Sequence, residues 1–345
     1  MNTTRVIAVD PHAGDARWDK FVRAHPAASH YHDLRWGRLI SHEFRQRPCY
    51  LMAEQDDSVT GVLPLVQLKS RLFGNFMVSM PYLNYGGVLS TDSVSRDALI
   101  EAAVKLGSAS NVSHIEFRDQ ISMDDMPVRN DKVAMILELP ESIDALGKAI
   151  GSKRRSQVRR PLRENPEIKV GGAELVPLYY EVFARNMRDL GTPVYASSFY
   201  ERMASTFPDD IKIVAITVGG KPAAAAFLIG HRDQLEIPWA STVRDFNRIS
   251  INMLLYWEVL RYAIEAGFKR FDFGRSTVDA GTYRFKRQWG AEPRQLHWHY
   301  WLADGGEPPK MNPDNPKYAM AIKVWQKLPV SVANTIGPRI VRNLP

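Results

Sequence analysis

Residues 211–230 read IKIVAITVGGKPAAAAFLIG. Two strand-like apolar runs, 211–218 and 222–230, flank Gly219-Gly220, a dipeptide that supplies positive φ at the centre of a tight hairpin. A third strand-like run, 235–241, follows. Working outward, a helix is predicted over about 250–266, with Ser250 as its N-cap and Gly267 beyond its end. Strands are predicted at 269–273 and 295–302. Upstream, a short strand at 168–171 precedes a helix over 174–190 that stops at Gly191. Ser198 with Glu201 three residues later signals a second helix to about 206.

The first half of the chain repeats this order. Residues 15–24 and 31–43 show helical spacing of apolar side chains, as in Trp18/Phe21/Val22 and Leu34/Leu39. Strand-like runs lie at 49–54, 61–68 and 76–80, with a turn at Asp56-Asp57. A helix over 95–106 ends near Gly107, and strands are predicted at 113–118 and 132–139. Each half thus reads helix, helix, three strands, helix, strand, strand. Two copies of one order argue for two similar domains. The expected class is α/β (α+β), with two mixed central sheets flanked by helices.

Composition sets the outer bounds. The chain has 345 residues, 45% hydrophobic and 24% charged, with a net charge of +7. That length suits two domains. The positive balance suits an anionic substrate, nucleic acid or a lipid headgroup surface. The single cysteine, Cys49, excludes an internal disulfide and fits a reducing compartment. The first 20 residues carry six charged side chains and no apolar run, so no conventional signal peptide is expected. No run reaches the ~20 apolar residues that span a bilayer. The expected location is the cytoplasm, with peripheral contact to the inner face of the membrane.

Several chemistries find no support. There is no GxGxxG or Walker loop, no GxSxG elbow and no HExxH. His297 and His299 are too few for a zinc site, so no metal is expected. Asp272-Phe273-Gly274 spells a kinase metal motif without its partner loops.

Three segments resemble the Fem-type aminoacyl transferases and BioF2-like acyltransferases of the GNAT fold. They are most similar to the Fem-like proteins associated with exosortase (PEP-CTERM) and exopolysaccharide systems. The segments are Met80–Gly87 (MPYLNYGG), Ser152–Arg163 (SKRRSQVRRPLR), and Phe271–Ser276 (FDFGRS) with Gly281–Gly290 (GTYRFKRQWG). The similarity runs from about residue 15 to 302. It implies two tandem GNAT-like domains: 1–147, a basic connecting segment 148–167, 168–302, and a C-terminal tail 303–345. Fem enzymes move an aminoacyl group from aminoacyl-tRNA to an amine on a peptidoglycan precursor. The resemblance carries a carbonyl-supporting Phe-Lys pair onto Phe285-Lys286. The coiled-coil arm of some Fem enzymes is missing here.

The residues themselves give a parallel list. Lys286 taken alone reads as a surface lysine in a basic loop; within the motif it offers an ammonium for a developing oxyanion. Asp272 and Arg275 bracket a strand end, where open sheets gather ligands. Tyr82, Asn84 and Tyr85 lie beside Gly86-Gly87, which lets backbone approach a ligand. Tyr195, Trp239 and Tyr283 complete the expected acceptor surface. Residues 148–163 hold seven basic side chains and no acidic one. Arg154, Arg155, Arg159 and Arg160 are therefore expected to meet phosphates. The turn Val243–Ser250 has no glycine to cradle a CoA pyrophosphate. No cofactor is expected. Aminoacyl-tRNA is favoured as donor over acyl-CoA, and an anionic envelope or polysaccharide precursor is expected as acceptor. The rivals are a CoA-dependent N-acyltransferase, a non-catalytic scaffold of an envelope-assembly system, and an RNA-binding module.

Overall fold

A computed structural model describes residues 4–70, 73–120, 122–123, 126–309 and 316–344, the last group from residue 319 on for side chains. Residues 310–315 of the expected tail lie outside the described set. In chain order the elements are β1 (Arg5–Val9), α1 (Ala16–Ala24), α2 (Arg35–Phe44), β2 (Arg47–Pro48), β3 (Tyr50–Gln55), β4 (Ser58–Leu63), β5 (Leu65–Ser70), β6 (Gly74–Ser79), β7 (Leu89–Ser90), α3 (Ser93–Ala109), β8 (His114–Asp119) and β9 (Val128–Arg129). Then come β10 (Lys132–Glu138), α4 (Ile143–Leu162), β11 (Glu167–Gly171), α5 (Val176–Leu190), α6 (Ser197–Thr206), β12 (Ile211–Val218), β13 (Lys221–His231), β14 (Gln234–Thr242) and α7 (Ile251–Glu265). The chain ends with β15 (Arg270–Thr277), α8 (Gly281–Arg287), β16 (Glu292–Gln295), β17 (His297–Leu302), α9 (Pro316–Trp325) and α10 (Val330–Val341).

The chain divides into two compact units. The first holds residues 1–132, 295–310 and 342–345; the second holds 133–294 and 311–341. In the first unit, β1-β3-β4-β7 form one sheet and β2-β5-β6-β8-β17-β9 another. Its apolar core gathers Leu51, Leu63, Leu65, Met77, Leu99, Ile115 and Phe117 under α3. The single run expected at 61–68 is two strands, β4 and β5, in different sheets. Pro64 separates them, because proline has no N–H for a continuous ladder. The strand expected at 295–302 is β17, in the six-stranded sheet of this unit.

The second unit has one seven-stranded sheet, β11-β12-β13-β14-β15-β10-β16. The 211–230 hairpin is as read, with Val218 opposite Lys221 across Gly219-Gly220. The strand expected at 132–139 is β10, in this sheet. The all-apolar Ala223–Ile229 stretch is buried on both faces, with α5 and α7 among the elements packed on it. Ser250 holds the N-cap position of α7 in a left-handed conformation (φ 62°), without a side-chain bond. The expected cap at Ser198 is also absent as such: α6 begins at Ser197, after Ala196, with no side-chain cap. The short helix α8 follows β15.

Candidate active site

In the second unit the parallel partners β14 and β15 share only three register pairs, ending at Glu236–Asp272. Beyond them, 237–242 and 273–277 continue without pairing to each other. Strands that part leave backbone groups open to a ligand or a side chain. Lys286 of α8 fills that role. Its Nζ donates to Gly274 O at 3.0 Å and to Arg275 O at 2.9 Å.

Successive carbonyls of a regular strand point to opposite sides. Two can face one amine here because Gly274 has φ 73°, a left-handed conformation that breaks the alternation. Asp272 fixes that bend. Its Oδ1 accepts the Gly274 N–H at 2.7 Å, and the side chain is fully buried. Lys286 is only 8% exposed. Burial lowers its amine from 10.5 to about 8, against the opposing pull of the Asp272 and Glu236 carboxylates, with Arg275 lowering it further. An ammonium with two of three protons committed keeps one to give.

Phe285 turns its ring inward, edge-on to Tyr256 at 4.9 Å, and Tyr256 stacks on Phe273. Tyr283 packs on the same core from a half-buried position. Arg275 is exposed. Trp239 lies on the diverged half of β14. It meets Tyr195, Phe199, Tyr200 and Phe227 edge-on at 5.3 to 6.2 Å. Tyr195 and Trp239 remain half-buried over that aromatic floor.

The basic segment is the second part of α4, which breaks at Gly151 (φ 77°, ψ 170°). Its arginines divide into two kinds. Arg154 donates to Ile150 O at 3.1 Å and Arg155 to Gly147 O at 2.7 Å, serving carbonyls at the break. Arg159 and Arg160 are exposed.

Tyr82, Asn84 and Tyr85 belong to the first unit. Tyr82 donates its hydroxyl to Arg342 O at 2.6 Å and stacks on Phe44 at 4.0 Å. Tyr85 lies beside Tyr31, and Asn84 is half-buried. A parallel pair also stops early here: β6 and β8 share two register pairs, ending at Val78–Glu116. Arg118, 2% exposed, fills the space beyond. It bonds Glu116 at 2.7 Å and Leu83 O at 2.7 Å, and lies 4.7 Å over the Trp298 ring. Asp119 accepts from Val88 N at 2.8 Å. Gly87 is required there, because a Cβ would lie 2.0 Å from Asp119 Oδ1.

Sequence reasoning missed Glu236 and Ser276. Glu236 is buried opposite Asp272, and its signal was an acid inside the apolar run LEIP. Ser276 Oγ and Trp289 Nε1 are buried without a hydrogen-bond partner among the described residues. A further feature is a cavity of ≈ 620 Å³ bounded by α5, the β12–β13 turn and residues 243–248. Arg185, Lys221 and Arg248 line it, together with Glu181 and Asp245.

Residues 152–287 match the model of the acetyltransferase (GNAT) domain. No curated protein matches the sequence. Among solved structures, the crystal structure of FemX matches with a TM-score of 0.61 at 14% identity, covering 85% of this chain and 96% of FemX. The C-terminal domain of a putative lysylphosphatidylglycerol synthetase from Agrobacterium fabrum gives 0.56 at 12%, covering 84% and 92%. A tandem GNAT protein from the clavulanic acid biosynthesis pathway gives 0.55 at 12%, covering 89% and 100%. The likenesses are those of fold. The fold is a tandem GNAT-like α/β arrangement, and the matched domain makes the chain an acyltransferase.

Proposed function

We propose that the protein transfers an acyl or aminoacyl group to an amine on an anionic cell-envelope or exopolysaccharide precursor, in the manner of a Fem enzyme on the cytoplasmic side. The observation that carries this is the buried Lys286 amine, anchored on Gly274 O and Arg275 O with one proton left to donate. An amine that attacks an ester carbonyl forms the C–N bond and puts negative charge on the carbonyl oxygen. Collapse of that intermediate breaks the C–O bond, and the leaving alcohol takes up the proton the amine loses. Lys286 would stabilise the oxyanion at the moment it forms, a contribution of about 3 kcal/mol for one fixed donor. Such a reaction calls for positioning more than for a Lewis acid. Trp239 and Tyr195 supply an aromatic wall for the acceptor. Arg159 and Arg160 suit the phosphates of an aminoacyl-tRNA donor.

A second reading is supported by the cavity beside residues 243–248. Arg185, Lys221 and Arg248 could hold the phosphates of an acyl-CoA there without a glycine cradle. The experiment offers the purified protein aminoacyl-tRNA and acetyl-CoA separately, with amine acceptors, and compares wild type with Lys286→Met. The first reading expects turnover with the tRNA donor and a loss of about 100-fold in kcat in the Met variant, with acceptor affinity little changed. Turnover with acetyl-CoA alone would replace it by the second reading. Equal turnover of wild type and variant removes Lys286 from the chemistry.

A further inference from the structure

We propose that the outward face of the two C-terminal helices is a docking surface for an anionic lipid bilayer. Each helix is held to the second unit by one face. On α10 the inward residues are Ala333, Gly337 and Val341, all buried, and Gly337 lies so close to Val194 that a Cβ would be 2.8 Å from its N. On α9, Ile322 packs against Gly191, and Arg188 Nη1 bonds Leu328 O at 2.8 Å in the connection. These helices are therefore seated, and their outer faces are set by that seating.

The outer faces repeat one pattern. On α9 and the turn after it, Met320, Lys323, Val324 and Lys327 fall at i, i+3, i+4 and i+7, one stripe of a helix. On α10, Val332, Thr335, Ile336 and Arg339 fall at the same spacing. Met320 is 67% exposed, Val324 56%, Val332 38% and Ile336 40%. Lys323, Lys327 and Arg339 are exposed as well. Between residues 316 and 344 there are five basic residues and no acidic one. Mid-sized aliphatic side chains interleaved with cations match the boundary between acyl chains and anionic headgroups. A protein partner would more often be met with aromatic and arginine anchors in a pocket. No described helix is long and apolar enough to cross a membrane, so the contact is one of surface. The inference is independent of the chemistry proposed at Lys286.

The test is flotation of the full-length protein with two kinds of vesicle, phosphatidylglycerol mixed with phosphatidylcholine, and phosphatidylcholine alone. The protein is expected to float with the anionic vesicles only, and to release as salt is raised. Met320→Gln combined with Val324→Gln and Ile336→Gln should cut the bound fraction by about tenfold, because the apolar contact is lost. Lys323→Gln with Lys327→Gln should do the same at physiological salt. All these side chains are exposed, so melting temperatures should stay at the wild-type value. Failure to float with either vesicle overturns the proposal. So does binding that survives the apolar substitutions, which would place adsorption elsewhere, as on α4. A stable dimer in solution that the apolar substitutions dissolve would make a second copy the occupant and also overturns it.

Discussion

A lysine buried against two carbonyls, with two carboxylates nearby but neither bonded to it, has a protonation state that depends on pH within the working range. Lys286 titrates near 8 because burial outweighs the pull of Asp272 and Glu236. Its charge is present below that pH and fades above it. The ratio of wild-type to Lys286→Met kcat/KM should therefore fall as pH rises through about 8. Using the ratio cancels the titration of the acceptor amine, which affects both proteins alike. A ratio flat from pH 6 to 10 would mean that the ammonium takes no part. Stability carries the same signature with a definite sign. The folded value lies below the ordinary 10.5, so between about 8 and about 10.5 the unfolded chain binds more protons, and folding gains as pH rises there. The burial penalty, roughly 3 kcal/mol at full strength, applies below pH 8. The wild type should thus gain on the Met variant in melting temperature as pH rises through that window. The sequence made Lys286 legible as a residue type inside a motif. Its anchoring was not legible, because that depends on the φ of Gly274, twelve residues away.

At the scale of elements, α4 shows how one run of charge divides into two functions. In the sequence, Arg154, Arg155, Arg159 and Arg160 are equivalent. The break at Gly151 removes helical partners from the carbonyls before it, and Arg154 and Arg155 supply those partners. Arg159 and Arg160 stand on the exposed side. Two outcomes follow. Arg159→Gln with Arg160→Gln should leave the melting temperature unchanged and reduce the salt slope of tRNA binding, since each phosphate contact contributes nearly one unit to it. Arg154→Gln with Arg155→Gln should instead cost about 1 kcal/mol per lost bond in thermal unfolding. The same salt slope and the same melting temperature in both pairs would show the segment to be a solvated connector. The strands show a similar limit of legibility. The 211–230 hairpin was readable because Gly219-Gly220 states its turn. Residues 61–68 were not readable as two strands, because the apolar run passes through Pro64 without a turn signal, and only the sheets reveal that β4 and β5 have different neighbours.

For the molecule as a whole, order along the chain and membership of a sheet part company at β10 and β17. The repeated order of elements was legible because periodicity and stop residues are local signals. Sheet membership depends on partners more than a hundred residues away, and His297–Leu302 (HWHYWL) carries no local mark of them. Its six residues pair antiparallel with β8, from His297–Asp119 to Leu302–His114. Tyr300 donates to Glu116 at 2.6 Å, and Glu116 in turn holds the buried Arg118. Burial and that bond to the carboxylate push the Tyr300 phenol well above its ordinary value, so it stays a donor throughout the accessible pH range. Removing this ring should therefore be felt in the first unit, although β17 follows the second unit in sequence. Tyr300→Ala leaves a cavity and takes a donor from Glu116. A loss of about 3 kcal/mol is expected from the cavity, with more from the carboxylate. Hydrogen exchange locates the damage. Peptides spanning 114–119 should lose protection, while those spanning 224–229 in β13 should keep theirs or lose it only with global unfolding. Tyr300→Phe, which keeps the ring, should show the smaller part of the loss. Exchange that quickens first in β12 and β13 while β8 stays protected would mean that the last strand belongs energetically to the unit it follows in sequence, contrary to its pairing.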